Sequence, residues 1–238
     1  MVVRFVLAVY CCGWIIFSGF HKANGEEKWF IYLTNWGYLL LTVYLLWATV
    51  LSAIQLLTET KKMNINREVQ LQTNVSNKGD AEGGEETGYE YETAGDLRWY
   101  HTGAWVFYSL ASCNAVVITI LYWSLLYSSK GTTDGLDIST HLLNSVFVIL
   151  DLMLSAMPIR FLHFVYPSCF GAAYVIFTAT YWAISKSNIY PVLDYKKYPV
   201  FSSCLVVGVV FVALPLAQAL FFGLFKIRCY LCAKFKNE

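Results

Sequence analysis

Long stretches that lack any charged or histidine side chain dominate this sequence and limit what it can fold into. Residues 29–58, 102–129, 164–185 and 198–225 contain no Lys, Arg, Asp, Glu or His. A helix of about 20 apolar residues crosses the hydrocarbon core of a bilayer, and each of these runs reaches that length. Charged residues make up only 14% of the chain, against about 25% in ordinary globular proteins. A water-soluble protein is therefore excluded.

Two further segments complete a prediction of six membrane-spanning helices. Residues 138–158 are apolar except for His141 and Asp151, and residues 2–20 are apolar apart from Arg4. The N-terminal stretch is either a retained span or the apolar region of a signal peptide. We favour the span because Arg4 can snorkel to the membrane surface and no clear small-residue cleavage site follows. The predicted fold is all-α, a single polytopic membrane helix bundle with spans at about 2–20, 29–57, 102–127, 138–158, 162–184 and 199–225.

Basic residues indicate how the bundle is oriented. With six spans, the N-terminus, loop 58–98, turn 158–161 and tail 226–238 share one side and hold 11 of the 17 Lys and Arg residues. Because these residues are enriched on the cytoplasmic side, we expect both termini in the cytosol. The membrane is then the plasma membrane or the endoplasmic reticulum.

The segment 58–98 is polar, rich in Gly and Glu and poor in aliphatic residues. A chain of this composition cannot bury enough apolar surface to fold alone, so we expect a disordered cytoplasmic loop. Its sequon, Asn74-Val75-Ser76, should remain unglycosylated on that side of the membrane.

Two cysteines near the C-terminus are candidates for lipid attachment. Cys229 and Cys232 follow the last span among four basic residues, a setting typical of S-palmitoylation. Their CxxC spacing also occurs in zinc sites, but no second pair accompanies it, so no metal and no cofactor is predicted. The chain has no basic patch with interleaved aromatics, and no nucleic-acid partner is expected.

Polar residues within the fourth span mark a face that should avoid lipid. At 100° per residue, five of them fall within a stripe of about 120°: His141, Asn144, Ser145, Asp151 and Ser155. An ionisable side chain in a bilayer costs about 2.5–3.5 kcal/mol on insertion scales, so the stripe should face the bundle interior or a polar cavity. Asp151 lies too deep to orient His141. Burial favours a neutral carboxyl there, paired within the core.

Thr34 and Asn35 lie near the start of the second span, at a similar depth to the start of that stripe. Helix rise places Thr34 about 7–8 Å below the membrane boundary, and His141 and Asn144 about 5–9 Å below it. If the two spans are neighbours, two interpretations are open. These groups either hydrogen-bond across helices, or Thr34 is a nucleophile with His141 as base and Asn144 as oxyanion donor.

A basic pair follows Pro158 at the turn between the fourth and fifth spans. Arg160 and His163 lie at the expected cytoplasmic boundary, where an arginine commonly snorkels. A contact with a lipid head group is the alternative. Both are therefore candidate binding residues, together with Asn35 and Asp151.

Several segments resemble the rolling stone family of multipass membrane proteins. They are FIYLTNWG at 30–37, HLLNS at 141–145 with Asp151 following, and PIRFLHFVYP at 158–167, continued by Gly171, Tyr174, Tyr181, Trp182 and Tyr190-Pro191. The similarity covers nearly the whole chain apart from loop 58–98. It implies a role in myoblast fusion or muscle development, because the founding member is implicated in fusion in insect muscle. It supplies no chemistry.

A more distant similarity is to the androgen-induced and androgen-dependent six-span hydrolases, which cleave fatty acid esters of hydroxy fatty acids with a membrane-embedded Thr and His. Thr34 matches that threonine. The fourth span of that family has two histidines; here His141 matches the first, and Asn144 replaces the second, which is the base. The resemblance implies a hydrolase that uses His141 instead, or a lipid pocket without activity. The expected partner is membrane lipid, as a fatty-acyl ester if the protein is an enzyme. A transporter is a third, weaker class because Asp151 is the only acidic residue in mid-membrane.

Overall fold

A computed structural model of the chain describes residues 1–20, 26–76, 99–127, 133–155 and 157–236. These residues form α-helices joined by shorter turns and contain no β-strand. The α-helices are α1 (Val2–Phe20), α2 (Leu33–Ser76), α3 (Trp99–Leu121), α4 (Gly135–Ile138), α5 (Asn144–Leu154), α6 (Val165–Ser185), α7 (Pro199–Gly208) and α8 (Leu214–Lys236). The π-helical turns are Tyr122–Leu126, Ser139–Leu143 and Val209–Ala213. The 3-10 turns are Glu26–Ile31, Phe161–Phe164 and Pro191–Leu193.

Six helical stretches within the described residues are long and apolar enough to cross a membrane. In chain order these spans are Val2–Phe20, Leu33–Gln70, Trp99–Leu126, Gly135–Leu154, Phe161–Ser185 and Pro199–Phe235. The predicted all-α fold with six spans is confirmed. The fourth span consists of α4, a π-turn and α5, and the sixth consists of α7, a π-turn and α8.

Helix α2 is longer than the apolar run that predicted it. It continues past residue 57 to Ser76, so the expectation of a disordered loop is wrong for residues 58–76. Those residues include no Gly or Pro, which lets the helix continue although its side chains as far as residue 70 are exposed. Gln55 Nε2 donates to Glu59 Oε1 at 3.0 Å, one of the i,i+4 bonds that stabilise an exposed helix. Residues 77–98 lie outside the described residues.

Helix α3 lies at the centre of the bundle and packs against α2, α5, α6 and α8. Its buried side is rich in small residues, which let neighbouring backbones approach closely: Ala104, Ala111, Ser112, Cys113 and Ala115. Larger buried side chains fill the space between the spans: Tyr38, Tyr44, Tyr108, Leu152 and Phe221. Much of the outer surface is apolar, which suits a bilayer better than water.

The second and fourth spans are neighbours. The hydroxyls of Tyr38 and Ser139 lie 3.0 Å apart, and the Tyr44 hydroxyl donates to the carboxylate of Asp151. Asn144 and Asp151 are both buried. The polar stripe of the fourth span therefore faces the bundle interior.

Arg4 corrects the expectation that its side chain snorkels to the membrane surface. Its Nε donates to Asp151 Oδ1 at 2.6 Å and its Nη2 to Oδ2 at 3.2 Å, while its Nη1 donates to Ser52 Oγ at 3.0 Å. Arg4 therefore does not snorkel to the surface, because a buried carboxylate provides a charged partner inside the bundle. Asp151 is paired within the bundle as expected, and its partner is Arg4.

Another arginine holds the end of the fourth span. Arg228 on α8 donates from Nη1 to the carbonyl oxygens of Leu152, at 2.7 Å, and of Ser155, and from Nη2 to that of Met157 at 3.2 Å. The last carbonyls of a helix have no partner within the helix, and a basic side chain can satisfy them. Arg228 thereby ties the sixth span to the end of α5.

Candidate functional site

A cavity of about 200 Å³, here called the Thr34 cavity, lies where the second and fourth spans begin and the third ends. Its lining comes from α2, α4, two π-turns and the segment before α7. The lining residues are Tyr32, Thr34, Asn35, Tyr122, Leu126, Leu136, Asp137, Thr140, His141 and Tyr190. Three of the predicted site residues, Thr34, Asn35 and His141, thus share one cavity.

Thr34 lies in the first turn of α2, and the chain before it is held by hydrogen bonds. Asn35 Nδ2 donates to the carbonyl of Trp29 at 2.7 Å, and the Tyr174 hydroxyl donates to the carbonyl of Ile31 at 2.7 Å. The amide of Leu33 donates to the Tyr190 hydroxyl at 2.9 Å. Amides in the first turn of a helix lack partners within it, so Tyr190 satisfies one that α2 leaves free.

The ring of His141 stacks on the ring of Tyr122, with centroids 3.5 Å apart and planes 2° from parallel. The Tyr122 hydroxyl donates to Asp137 Oδ1 at 2.7 Å, which fixes the tyrosine under the imidazole. His141 Nδ1 is buried and has no hydrogen-bond partner among the described residues. A buried polar atom without a partner is costly, and it often marks a site that binds something else.

Tyr190 connects this cavity to the loop before the sixth span. Burial raises the pKa of Tyr190, although hydrogen bonds with the Tyr174 hydroxyl, the Leu33 amide and the Thr34 hydroxyl counteract part of that increase. The phenol is therefore neutral at physiological pH and keeps its proton as a donor.

Asn144 does not join the Thr34 cavity. Its Nδ2 donates to the carbonyl of Thr140 at 2.8 Å, and its Oδ1 accepts from the Ser145 amide at 2.7 Å and the Thr119 hydroxyl at 3.2 Å. The predicted oxyanion donor thus uses its amide within its own helix. The prediction that Asn144 lies beside His141 used 100° per residue, which holds for a regular α-helix. The π-turn Ser139–Leu143 has an extra residue in its turn, so His141 and Asn144 point in different relative directions from those predicted.

The other candidate residues lie elsewhere. Asp151 lines a larger cleft of about 740 Å³ near Met1, at the opposite end of the bundle from the Thr34 cavity. The Arg160 side chain is exposed and its carbonyl accepts from Gln218 Nε2 at 2.8 Å. His163 is half-buried, with its ring 5.6 Å from that of Tyr166. The two cysteines predicted to carry lipid, Cys229 and Cys232, are exposed near the end of α8.

A second cavity of about 90 Å³, here called the apolar cavity, adjoins the first. It is lined mainly by aliphatic residues of α3, α6, α7 and α8, among them Val117, Leu121, Val175, Val206 and Leu214. Four residues line both cavities: Thr34, Tyr122, Leu126 and Tyr190. The two cavities are therefore adjacent.

Comparison with known proteins identifies the family. The family model described as protein rolling stone matches residues 1–237. The chain belongs to the rolling stone family. Protein rolling stone of Drosophila melanogaster is 28% identical over 213 residues, which cover 85% of this chain and 68% of the relative. No solved structure matches the chain.

In this rolling stone family member, Tyr122 and Asp137 are functional candidates that sequence reasoning missed, whereas Tyr190 belongs to a Tyr-Pro pair that it singled out. Asp137 belongs to a capping box with Asp134 at the start of α4, and this D-x-x-D spacing was visible in the sequence. Tyr122 gave no comparable signal, because an aromatic residue near a membrane boundary usually serves as an interfacial anchor.

Proposed function

We propose that this rolling stone family protein acts in the fusion of myoblasts or in muscle development. The match of the family along residues 1–237 is the observation that supports this role. Six spans that form one bundle fit a protein that works within a membrane.

Depletion in muscle precursor cells that express the protein tests this role, with the fraction of nuclei in multinucleate cells as the measurement. We expect that fraction to fall on depletion and to recover with the wild-type chain. His141→Phe, which keeps a ring on Tyr122, is compared with Leu142→Phe, whose side chain is exposed on the outer surface. Unchanged fusion in cells that have lost the protein would overturn the proposal.

We further propose that both termini face the cytosol, in the plasma membrane or the endoplasmic reticulum. The excess of Lys and Arg on the side of the termini supports this orientation. An epitope tag at either terminus should react with antibody only after the membrane is permeabilised. Removal of N-linked glycans should not change the gel mobility of the protein, because Asn74 would lie in the cytosol; a shift lost in Asn74→Gln would reverse the orientation.

A second candidate function is a lipid-ester hydrolase in the membrane. The shared lining of one cavity by Thr34 and His141 supports it, as does the unpaired Nδ1 of His141. The sequence predicted Asn144 as the oxyanion donor, but its amide donates to a carbonyl within its own helix. The oxyanion would therefore need another donor. The neutral phenol of Tyr190 borders the cavity and is the best available donor.

The reaction would proceed in two balanced steps. Thr34 Oγ1 attacks the ester carbonyl carbon, His141 accepts the hydroxyl proton, and the alcohol leaves with that proton, so an acyl group remains on Thr34. Water then attacks the acyl carbon while His141 accepts its proton. The fatty acid leaves, and the proton returns to Thr34.

A fluorophosphonate probe tests this function on the purified protein. Labelling should be lost in Thr34→Val and His141→Phe, retained in part in Thr34→Ser, and unchanged in Thr180→Val. Thr180 is the matched control because its hydroxyl bonds the carbonyl of Ile176 on the exposed side of α6. No labelling of the wild-type chain, or equal labelling of Thr34→Val, would remove the hydrolase from consideration.

A further inference from the structure

We infer that the Thr34 cavity and the apolar cavity together bind one neutral, single-chain lipid with a hydroxyl-bearing head, of the monoacylglycerol type. The head would occupy the Thr34 cavity and the first part of the chain the apolar cavity. Thr34, Tyr122, Leu126 and Tyr190 line both, so the two cavities are adjacent and the proposed lipid would pass between these side chains.

The side chains of the Thr34 cavity determine the charge of the head group. Asp137 is the one acidic residue in its lining, and neither Lys nor Arg is found there within the part of the chain that the structure describes. An anionic head would lie beside the like charge of the half-buried Asp137, which costs up to about 4 kcal/mol at a separation of roughly 4 Å for an effective dielectric constant near 20. Carboxylate and phosphate heads are therefore disfavoured.

Asp137 does not by itself select the head group, although each of its oxygens accepts one hydrogen bond. Oδ1 accepts from the Tyr122 hydroxyl at 2.7 Å, and Oδ2 from the amide of Asp134 at 3.5 Å. The polar atom without a partner is instead His141 Nδ1. A hydroxyl can donate to or accept from this nitrogen in either tautomer of the imidazole, so it satisfies the atom without adding charge.

The apolar cavity fits the beginning of a hydrocarbon chain. Its volume of about 90 Å³ holds only a short part of a chain. Leu125 lines the same cavity and is 39% exposed on the outer surface of the bundle. The cavity thus lies close to the outer surface beside the π-turn Tyr122–Leu126 and α7, and the proposed lipid would extend its remaining methylenes into the bilayer there.

The local backbone is irregular around both cavities. Tyr122 and Leu126 bound one π-turn, His141 lies in a second, and Val209 in a third lines the apolar cavity. Such turns are rare and recur at functional sites. Their convergence on the two cavities supports a built binding site.

Binding of this lipid is independent of the proposed role in fusion and shares its cavity with the proposed hydrolase. It does not need the Thr34 hydroxyl as nucleophile. Thr34→Val would abolish hydrolysis, but the preference for a neutral over a charged head group would remain. The hydrolase proposal and the binding proposal can therefore be refuted independently of each other.

The test uses the full chain in nanodiscs and a monoacylglycerol analogue that carries a photoreactive diazirine and an alkyne in its acyl chain. Unlabelled competitors are monoacylglycerol, a fatty acid at about pH 8, where a carboxylic acid is ionised, and a long-chain amine. We expect labelled peptides from the linings of the two cavities, and competition by monoacylglycerol roughly tenfold stronger than by the charged lipids. Stronger competition by either charged lipid, or labelling mapped to the cleft near Asp151, would overturn the inference.

Two variants make the test specific. Val206→Trp fills the apolar cavity and should reduce labelling roughly tenfold, whereas Val207→Trp, on the exposed side of α7, should label like the wild type. Asp137→Asn keeps an acceptor for Tyr122 but removes the charge, so competition by the fatty acid should increase. If Val206→Trp and Val207→Trp label equally, or if Asp137→Asn leaves the charge preference unchanged, the inference is wrong.

Discussion

Arg4 and Asp151 are 147 positions apart in the chain and form an ion pair with an Nε–Oδ1 distance of 2.6 Å. The pair joins the first residues of α1 to α5, and hydrogen bonds from Tyr44 and to Ser52 bring α2 into the same network. Three of the six spans therefore share one buried polar contact. It is the electrostatic link that fixes the first span in the bundle.

Breaking one side of this pair should destabilise the protein more than removing both sides. Arg4→Met leaves Asp151 buried without its charged partner, for which we expect a loss of about 3–5 kcal/mol in the free energy of unfolding. Arg4→Met with Asp151→Leu should cost much less than the sum of the two single changes. Unfolding in mixed micelles measures this, with the exposed Arg160→Met as control. Additive costs would mean that the pair contributes no coupling.

The stability of the bundle should depend on an arginine, and not merely a positive charge, at position 228. Arg228→Lys retains the charge but cannot reach three carbonyl oxygens with a planar fork, so we expect it to lose about 1–3 kcal/mol. Arg228→Met should lose more. The comparison is with Lys234→Met, an exposed basic residue further along α8. Thermal unfolding in detergent measures this. Equal unfolding temperatures for Arg228→Lys and the wild type would contradict the prediction.

The turn before α7 should depend on the ionisation of Asp194. Hydrogen bonds from the amides of Lys197 and Lys196 to Oδ1, at 2.9 and 3.0 Å, lower the pKa of Asp194. A carboxyl whose pKa is lowered in the folded state stabilises that state above its unfolded pKa. This stabilisation is lost as the pH falls through the lowered folded pKa.

Hydrogen exchange of the two lysine amides measures this. After correction for intrinsic rates, their protection should fall on acidification, and in Asp194→Asn it should no longer depend on pH in that range. The amide of Ser187 is the control, because it donates to the hydroxyl of Ser185, which does not titrate. Equal pH dependence at all three amides would point to a general loosening of the loop instead.

Cys229 and Cys232 should carry thioester-linked acyl chains. Both are exposed at the end of α8 beside basic residues, a position that an acyltransferase at the membrane surface can reach. Hydroxylamine-sensitive labelling with an alkyne fatty acid should decrease stepwise in Cys229→Ser and in the double variant with Cys232→Ser. Cys204→Ser, an exposed cysteine within α7, should label like the wild type. Full labelling of the double variant would exclude this site.

The fold was predictable because the bilayer allows so few solutions. Charge-free runs longer than about 20 residues can only be helices, since lipid offers no partner to the backbone. The depth of Thr34 and His141 also followed from helix rise alone, and the two residues do line one cavity.

The finer parts of the site depend on features that no residue pattern encodes locally. The π-turn before Asn144 changes the direction in which that side chain points relative to His141, and no residue pattern in Ser139–Leu143 announces it. The expectation that Arg4 snorkels follows only from its position near the start of the first span. Its actual partner, Asp151, is distant in the sequence, so no local pattern connects the two. Tyr190 comes from a loop whose path over the bundle follows from tertiary contacts.

Helix α2 runs without interruption from Leu33, beside the Thr34 cavity, to Ser76. At about 1.5 Å per residue, its 44 residues form a rod of about 66 Å. Over such a lever, a tilt of about 5° at one end displaces the other by roughly 6 Å. A tilt of α2 at the cavity would therefore produce a larger displacement at Ser76.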